Sequence, residues 1–315
     1  CRNERLEVSC TRDAGTFDTP GTARDVEVRD GFAYVADGEG GVLILDVRDP
    51  RAPAVAGRYQ TPATAVLGIA AGGRYLYAAD AAAGLLVIDA LDPAQPVLAA
   101  SLPLADAAID VALDGTFAYV AAGSSGLPIV DVSDPRHPEA AGSRGLFGNS
   151  GYIYGVAVAD GRAYVADVIN GVEVFDVRRP AAPPLAGGLE LPGATSAIAI
   201  AGSTGLAAGG SAGLAVLDLA VPAAPSILGV LPTPAPASDV AAMGPEGDAG
   251  GPAPDHALVA SGAAGVLVAD LSEPSAPVVE AVHDTPGEAF GVTWSKGMAY
   301  VADGSRGLRI LDVGN

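Results

Sequence analysis

Seven copies of one strand-turn-strand phrase, a spacing of 42 to 52 residues between copies and no stretch of helical periodicity predict an all-β protein, a seven-bladed β-propeller of four-stranded antiparallel blades. The phrase reads GVLILD from Gly41, GLLVID from Gly84, GLPIVD from Gly126, GVEVFD from Gly171, GLAVLD from Gly213, GVLVAD from Gly265 and GLRILD from Gly307. Its closing aspartates, Asp46, Asp89, Asp131, Asp176, Asp218, Asp270 and Asp312, lie 43, 42, 45, 42, 52 and 42 residues apart. The composition suits such a body. Half of the 315 residues are hydrophobic but only 5% are aromatic, and 42 glycines and 25 prolines supply turns. A chain of this length buries about three quarters of its unfolded surface, and the unbroken repeat argues for one ring rather than two domains. No run of apolar residues is long enough for a membrane-spanning helix.

Each repeat reads as four strands, a to d from hub to rim. In the first, ARDVEVRDG (23–31) alternates apolar and polar residues, FAYVADG (32–38) and GVLILDV (41–47) are buried runs, and AVAGRYQT (54–61) is the weaker outer strand. Asp30-Gly31, Asp114-Gly115 and Asp160-Gly161 predict tight a-to-b hairpins, because Asp and Gly tolerate positive φ. Asp49-Pro50, Asp92-Pro93, Asp134-Pro135 and Glu273-Pro274 stop strand c, since proline cannot donate to the ladder.

The ends of the chain predict how the ring closes. After strand c of the seventh repeat only Val313, Gly314 and Asn315 remain, so that blade lacks its rim strand. AGTFDTPGTARDV (14–26) aligns with AGRYQTPATAV (56–66), a rim strand running into the next hub strand. The N-terminal segment therefore completes blade seven and removes two open sheet edges. Residues 1–13 become a tether. Blades fall at about 22–62, 63–104, 105–146, 147–191, 192–233, 234–285 and 286–315 with 14–20.

The AYVAD…GLxIVDVSDPxxP pattern, fullest as AYVAAGSSGLPIVDVSDPRHP (118–138), resembles the LVIVD-repeat proteins over residues 14–313. The resemblance implies bacterial or archaeal β-propellers, exported or surface-displayed, mostly without an assigned activity, and brings no catalytic residues with it. The fifth repeat departs most, with GLAAGG in place of AYVAD and AVP in place of SDP.

Residues present in every blade point to architecture, since a single ligand breaks the sevenfold symmetry. The seven strand-c aspartates are read as caps on nearby amides, and so are Asp37, Asp80, Asp167 and Asp303 of strand b. Differences between blades gather where strand a begins: Thr-Ala-Arg-Asp (22–25), Ala-Val-Leu-Gly (65–68), Ala-Ala-Ile-Asp (107–110), Tyr-Ile-Tyr-Gly (152–155), Ala-Thr-Ser-Ala (194–197), Pro-Ala-Ser-Asp (236–239) and Glu-Ala-Phe-Gly (288–291). These tetrads surround the channel mouth. Arg24, Asp25, Asp110, Tyr152, Tyr154, Asp239, Glu288 and Phe290 form a mixed aromatic and acidic rim there, the candidate partner-binding residues. The alternative is that the aromatics fill gaps between blades and the carboxylates are merely hydrated. Two insertions break the period. MGPEGDAGGPAPD (243–255) lies on the face opposite the mouth and LFGNSGYIYG (146–155) at the mouth itself.

Catalytic constellations are absent from the pattern. Gly209-x-Ser211-x-Gly213 is followed by a strand and reads as a hairpin turn rather than a nucleophile elbow. His137, His256 and His283 lack zinc-site spacing. No cofactor is expected. Calcium is the ion the mouth carboxylates would hold, but Asp25, Asp110 and Asp239 stand on nonadjacent blades. With 37 acidic and 17 basic residues the net charge is −20, which repels nucleic acid and anionic membranes.

Cys1 and Cys10 both precede the ring. Three readings stand: lipidation of Cys1, a Cys1 to Cys10 disulfide, or an arbitrary boundary; the first two place the protein outside the cytoplasm, at the cell surface or in the periplasm. The expected function is a non-enzymatic binding or assembly scaffold that docks a protein or glycan through the channel-mouth loops. The alternatives are a hydrolase or lyase using channel carboxylates and a divalent metal, and a structural component of a surface layer or extracellular filament.

Overall fold

The computed structural model describes residues 11–62, 64–145, 151–244 and 253–314. They form seven four-stranded antiparallel sheets. Six of these use four consecutive strands. Blade one, for example, is Asp25–Arg29, Phe32–Ala36, Val42–Asp46 and Ala54–Tyr59 in hub-to-rim order. In the seventh, Gly291–Ser295, Met298–Ala302 and Leu308–Asp312 are joined at the rim by Arg12–Phe17, with Arg12 opposite Asp312 and Phe17 opposite Leu308. The Arg12–Phe17 strand thus seals the ring, as its alignment with the other rim strands predicts. A bulge confirms its identity. Every rim ladder shifts register partway along, between Ile44 and Leu45 in blade one and between Asp13 and Gly15 in blade seven.

Strands b and c are continuous apolar runs because both of their faces are buried. In blade one, Val35, Leu43 and Leu45 pack against Ala302, Leu308 and Ile310 of blade seven, while Ala36, Val42 and Ile44 pack against Leu76, Ala78 and Ile88 of blade two. The core is accordingly divided into sandwiches between neighbouring blades. Each fully buried aliphatic side chain contributes about 1.5–3 kcal/mol, so stability rests on contacts between blades as much as within them.

The repeated aspartates are structural. Each of the seven at the end of strand c accepts the amide two residues on, at 2.8–3.2 Å, and in the first six blades this closes the turn that leads to the rim. The strand-b aspartates are fully buried. Asp80 accepts the amides of Ala82 and Ala83, Asp167 those of Ile169 and Asn170, while Asp37 and Asp303 hold Gly21 and Gly287 in the incoming crossing.

The hairpin turns need one correction. Asp30-Gly31 and Asp160-Gly161 both have positive φ at the two central positions, the type I′ pattern. In blade three Asp114 pairs with Phe117, so the turn is centred on Gly115-Thr116 and only Gly115, at φ 57°, is left-handed. Asp114 remains in the ladder because a single glycine at the first central position satisfies a type II′ turn.

Candidate functional site

The tetrads at the start of strand a divide their work by position. Their second residues, Ala23, Val66, Ala108, Ile153, Thr195, Ala237 and Ala289, are all buried between blades. Their third residues, Arg24, Leu67, Ile109, Tyr154, Ser196, Ser238 and Phe290, surround one cavity of about 400 Å³ at the hub, with Asp25, Asp110 and Asp239 from the fourth position. Six of the eight candidate residues therefore line one site. Tyr152 and Glu288, in the first position, stand outside its lining. Leu67, Ile109, Ser196 and Ser238 belong to the site although neither charge nor aromaticity marks them, and the signal that finds them is their place in the tetrad.

The three channel aspartates bolt blade one to two, three to four and six to seven. Asp25 accepts its own neighbour's amide, Val26, through Oδ1 at 2.7 Å and the Ile69 amide of blade two through Oδ2 at 2.9 Å. Asp110 does the same with Val111 at 2.7 Å and Val156 of blade four at 2.9 Å, and Asp239 accepts Val292 of blade seven at 2.8 Å. Serine hydroxyls add bridges from blades five and six: Ser196 donates to the Ser238 carbonyl at 2.9 Å and Ser238, beside Asp239, to the Ala289 carbonyl at 2.8 Å. Among the described residues no salt bridge reaches these aspartates.

Burial and mutual repulsion follow from that arrangement. Asp25 is held well above the ordinary carboxylate range, first by burial and then by the charges of Asp110 and Asp239. Burial also raises Asp110, and it pushes Asp239 up to about 7 with a further contribution from Asp110. Glu27, two residues along strand a from Asp25 on the same face, accepts the Ala71 amide at 2.6 Å and is raised to about 7, again by burial. The sequence pattern did not single it out. No three His, Cys, Asp or Glu side chains among the described residues are grouped closely enough to hold a metal ion.

Aromatic side chains frame the cavity. The Arg24 guanidinium lies 4.5 Å from the centre of the Phe290 ring, a cation–π contact across the seam between blades one and seven. Tyr152 and Tyr154 are tilted 45° to each other with centroids 5.2 Å apart. Tyr152 closes over the blade-three turn at Gly123, where an added Cβ would stand 2.8 Å from its Cζ. Tyr154 is 44% exposed and Glu288 is exposed.

The remaining motifs resolve into local structure. Gly209, Ser211 and Gly213 form the turn between strands Thr204–Ala208 and Leu214–Asp218, with the Gly209 amide bonded to the Gly213 carbonyl. His137 pairs with Asp134 at 2.8 Å, His256 with Glu280 at 3.0 Å and His283 with Asp13 at 3.3 Å. Cys1 and Cys10 lie outside the described residues, as do 146–150 and 245–252 of the two insertions.

Comparison with known proteins agrees with this architecture. The family model described as the LVIVD repeat matches residues 20–61, 65–102, 106–144, 150–189, 254–285 and 286–315, passing over blade five and the hub strand of blade six. No curated protein matches the chain in sequence. Solved structures match in shape. The Myceliophteria thermophila Cps50 (Swd1) β-propeller domain is 11% identical at a TM-score of 0.77, covering 96% of this chain and 99% of its own. A chain of the Mitotic Checkpoint Complex is 13% identical at 0.76, covering 99% and 94%. The RRP9 WD40 repeats are 13% identical at 0.75, covering 96% and 97%. At such identities the likeness is one of fold alone.

Proposed function

The chain belongs to the LVIVD-repeat family, and from that premise we propose that it is a non-enzymatic binding scaffold that docks a protein or glycan partner at the channel mouth. One observation carries the reading. In a repeat whose second tetrad positions are uniformly buried, the third positions are Arg24, Leu67, Ile109, Tyr154, Ser196, Ser238 and Phe290, around a shared cavity. Sevenfold architecture does not require that diversity; a single asymmetric partner does. Propellers commonly serve as platforms for other proteins, and a chain of the Mitotic Checkpoint Complex shares this fold. Location outside the cytoplasm is part of the proposal, supported by the family resemblance and by the lipidation and disulfide readings of Cys1 and Cys10.

The raised pKa values of Asp25, Asp110 and Asp239 favour a second reading, a hydrolase or lyase, because perturbed carboxylates in a cavity are a mark of active sites. Their oxygens, however, already accept backbone amides of neighbouring blades, so a structural role accounts for both burial and shift. The deciding experiment is a pull-down from native membranes with the wild type and a Tyr152→Ala, Tyr154→Ala, Phe290→Ala variant. Loss of the wild-type partner supports the scaffold, and its retention by the variant overturns the site. Metal analysis and activity screening of an Asp25→Asn, Asp110→Asn, Asp239→Asn variant test the enzyme reading separately.

A further inference from the structure

Blade five differs from every other sector of this chain in charge. Residues 191–238 contain one ionisable side chain, Asp218, in a protein that is 17% charged and carries −20 overall. Its rim strand, Ser226–Leu231, reads SILGVL and is the outer strand of its sheet, and among the described residues no strand pairs with its far edge. Most other rim strands carry a blunting charge, as in RDAGTF, AVAGRY, EAAGSR and VVEAVH. This one carries none, as VLAASL and LAGGL of blades two and four carry none, but here the whole surrounding sector holds a single ionisable side chain. Val221, Ile227, Leu228 and Val230 are 37–60% exposed, and Val278 and Val279 of the blade-six rim extend the apolar surface at 54% and 39%. A folded chain that leaves such a patch uncovered has a use for it.

We propose that the blade-five rim, with the adjoining edge of blade six, is the contact between two copies of this chain. Charge selects that partner. Two chains of −20 repel wherever acidic surfaces meet, and because screening limits repulsion to about 10 Å at about 0.1 M salt, the local composition of the contact decides. A two-fold axis lays the uncharged Ser226–Leu231 strand on its own copy, whereas the rim strands of blades one, three, six and seven would bring ionisable side chains to the contact. The same axis makes two identical edge strands antiparallel, the orientation in which their free N–H and C=O groups form a ladder. Pro225 and Pro232 bound the strand and confine that ladder to six residues. The surface is separate from the channel mouth and does not depend on the function proposed for it.

Sedimentation velocity of the purified chain tests the interface. The expected result is a monomer–dimer equilibrium that shifts toward dimer between about 50 mM and about 500 mM salt as residual repulsion is screened. Ile227→Lys with Val230→Lys, or Leu228→Lys alone, weakens it about a hundredfold by burying unpaired charge, with unchanged melting of the monomer. Val97→Lys, the same change on the blade-two rim, leaves the dimer intact. A monomer at about 100 μM at both salt concentrations, a dimer insensitive to the blade-five changes, or a dimer broken by Val97→Lys would each overturn the proposal. The wild-type measurement stands even if one variant folds poorly.

Discussion

Asp13 Oδ1 and His283 Nε2 lie 3.3 Å apart although 270 residues separate them in the chain. Asp13 also faces Arg309 at 3.8 Å, Arg309 lies 3.6 Å from Asp303, and Asp303 accepts the Thr285 hydroxyl at 2.6 Å. The first strand, the last strand, the blade-six rim and the crossing into blade seven thus meet in one network. Asp13 is 59% exposed, so its own ion pairs are worth less than about 1 kcal/mol. The larger share lies in the strand pairing and in Ala14 and Phe17, which pack on the sandwich between blades one and seven. Deleting residues 1–20 is expected to lower unfolding free energy by several kcal/mol, and Asp13→Ala by less than about 1. Urea denaturation measures both, and an unchanged midpoint for the deletion would refute closure as a stabiliser.

Stability is expected to fall as pH rises toward neutrality. Asp239 and Glu27 are raised to about 7 in the folded chain, from ordinary values of 3.8 and 4.5. A carboxyl raised by folding binds its proton more tightly in the native state, so its contribution is complete below about pH 4 and disappears as pH climbs through 7. For Asp239 the shift corresponds to at most about 4 kcal/mol, and to about 2 once channel water is allowed for. Asp239→Asn keeps an acceptor for the Val292 amide but cannot titrate, so its melting temperature should vary less between about pH 5 and about pH 8. Parallel curves for the two proteins would count against the assignment.

The turn aspartates offer a cleaner substitution. Asp131 Oδ1 accepts the Ser133 amide at 2.8 Å. Asp131→Ala removes the acceptor and is expected to cost about 1 kcal/mol, whereas Asp131→Asn keeps a carbonyl oxygen there and should cost much less. Equal losses in thermal denaturation would mean that charge rather than capping matters.

Gly57 marks where one blade presses on the next. A Cβ at this position would stand 2.0 Å from the Pro93 carbonyl oxygen of blade two. The strand cannot retreat without opening the sandwich beneath it, so Gly57→Ala is expected to destabilise by about 1–3 kcal/mol. Gly188→Ala, whose nearest neighbour would be 3.5 Å away, should be nearly neutral and serves as the control.

The ring was legible because its signal is redundant. The GLxIVD run and its aspartate recur seven times, and the N-terminal AGTF segment aligns with AGRY, so count and closure follow without any single residue being decisive. The site was legible only through its exceptions. Arg24, Asp25, Tyr154 and Phe290 stand out by chemistry, but Ser196 and Ser238 look like ordinary turn residues until the tetrads are stacked around the axis. Glu27 escaped because alternation along strand a does not say which of its two faces looks into the channel. The apolar blade-five rim was hidden for another reason: in a repeat rich in valine and leucine, a strand reads the same whether its edge is covered or bare.

Because Arg12 stands opposite Asp312, the Arg12–Phe17 strand has no ladder partner until Leu308–Asp312 has been made. A ribosome-bound chain therefore carries an unsealed arc of blades, and the last step of assembly is a long-range one, slow in the manner of nonlocal β pairing. Arg12 and Asp312 stand side by side on paired strands, so a circular permutant that joins these two strands with a short linker and reopens the ring between two blades should fold to the same toroid.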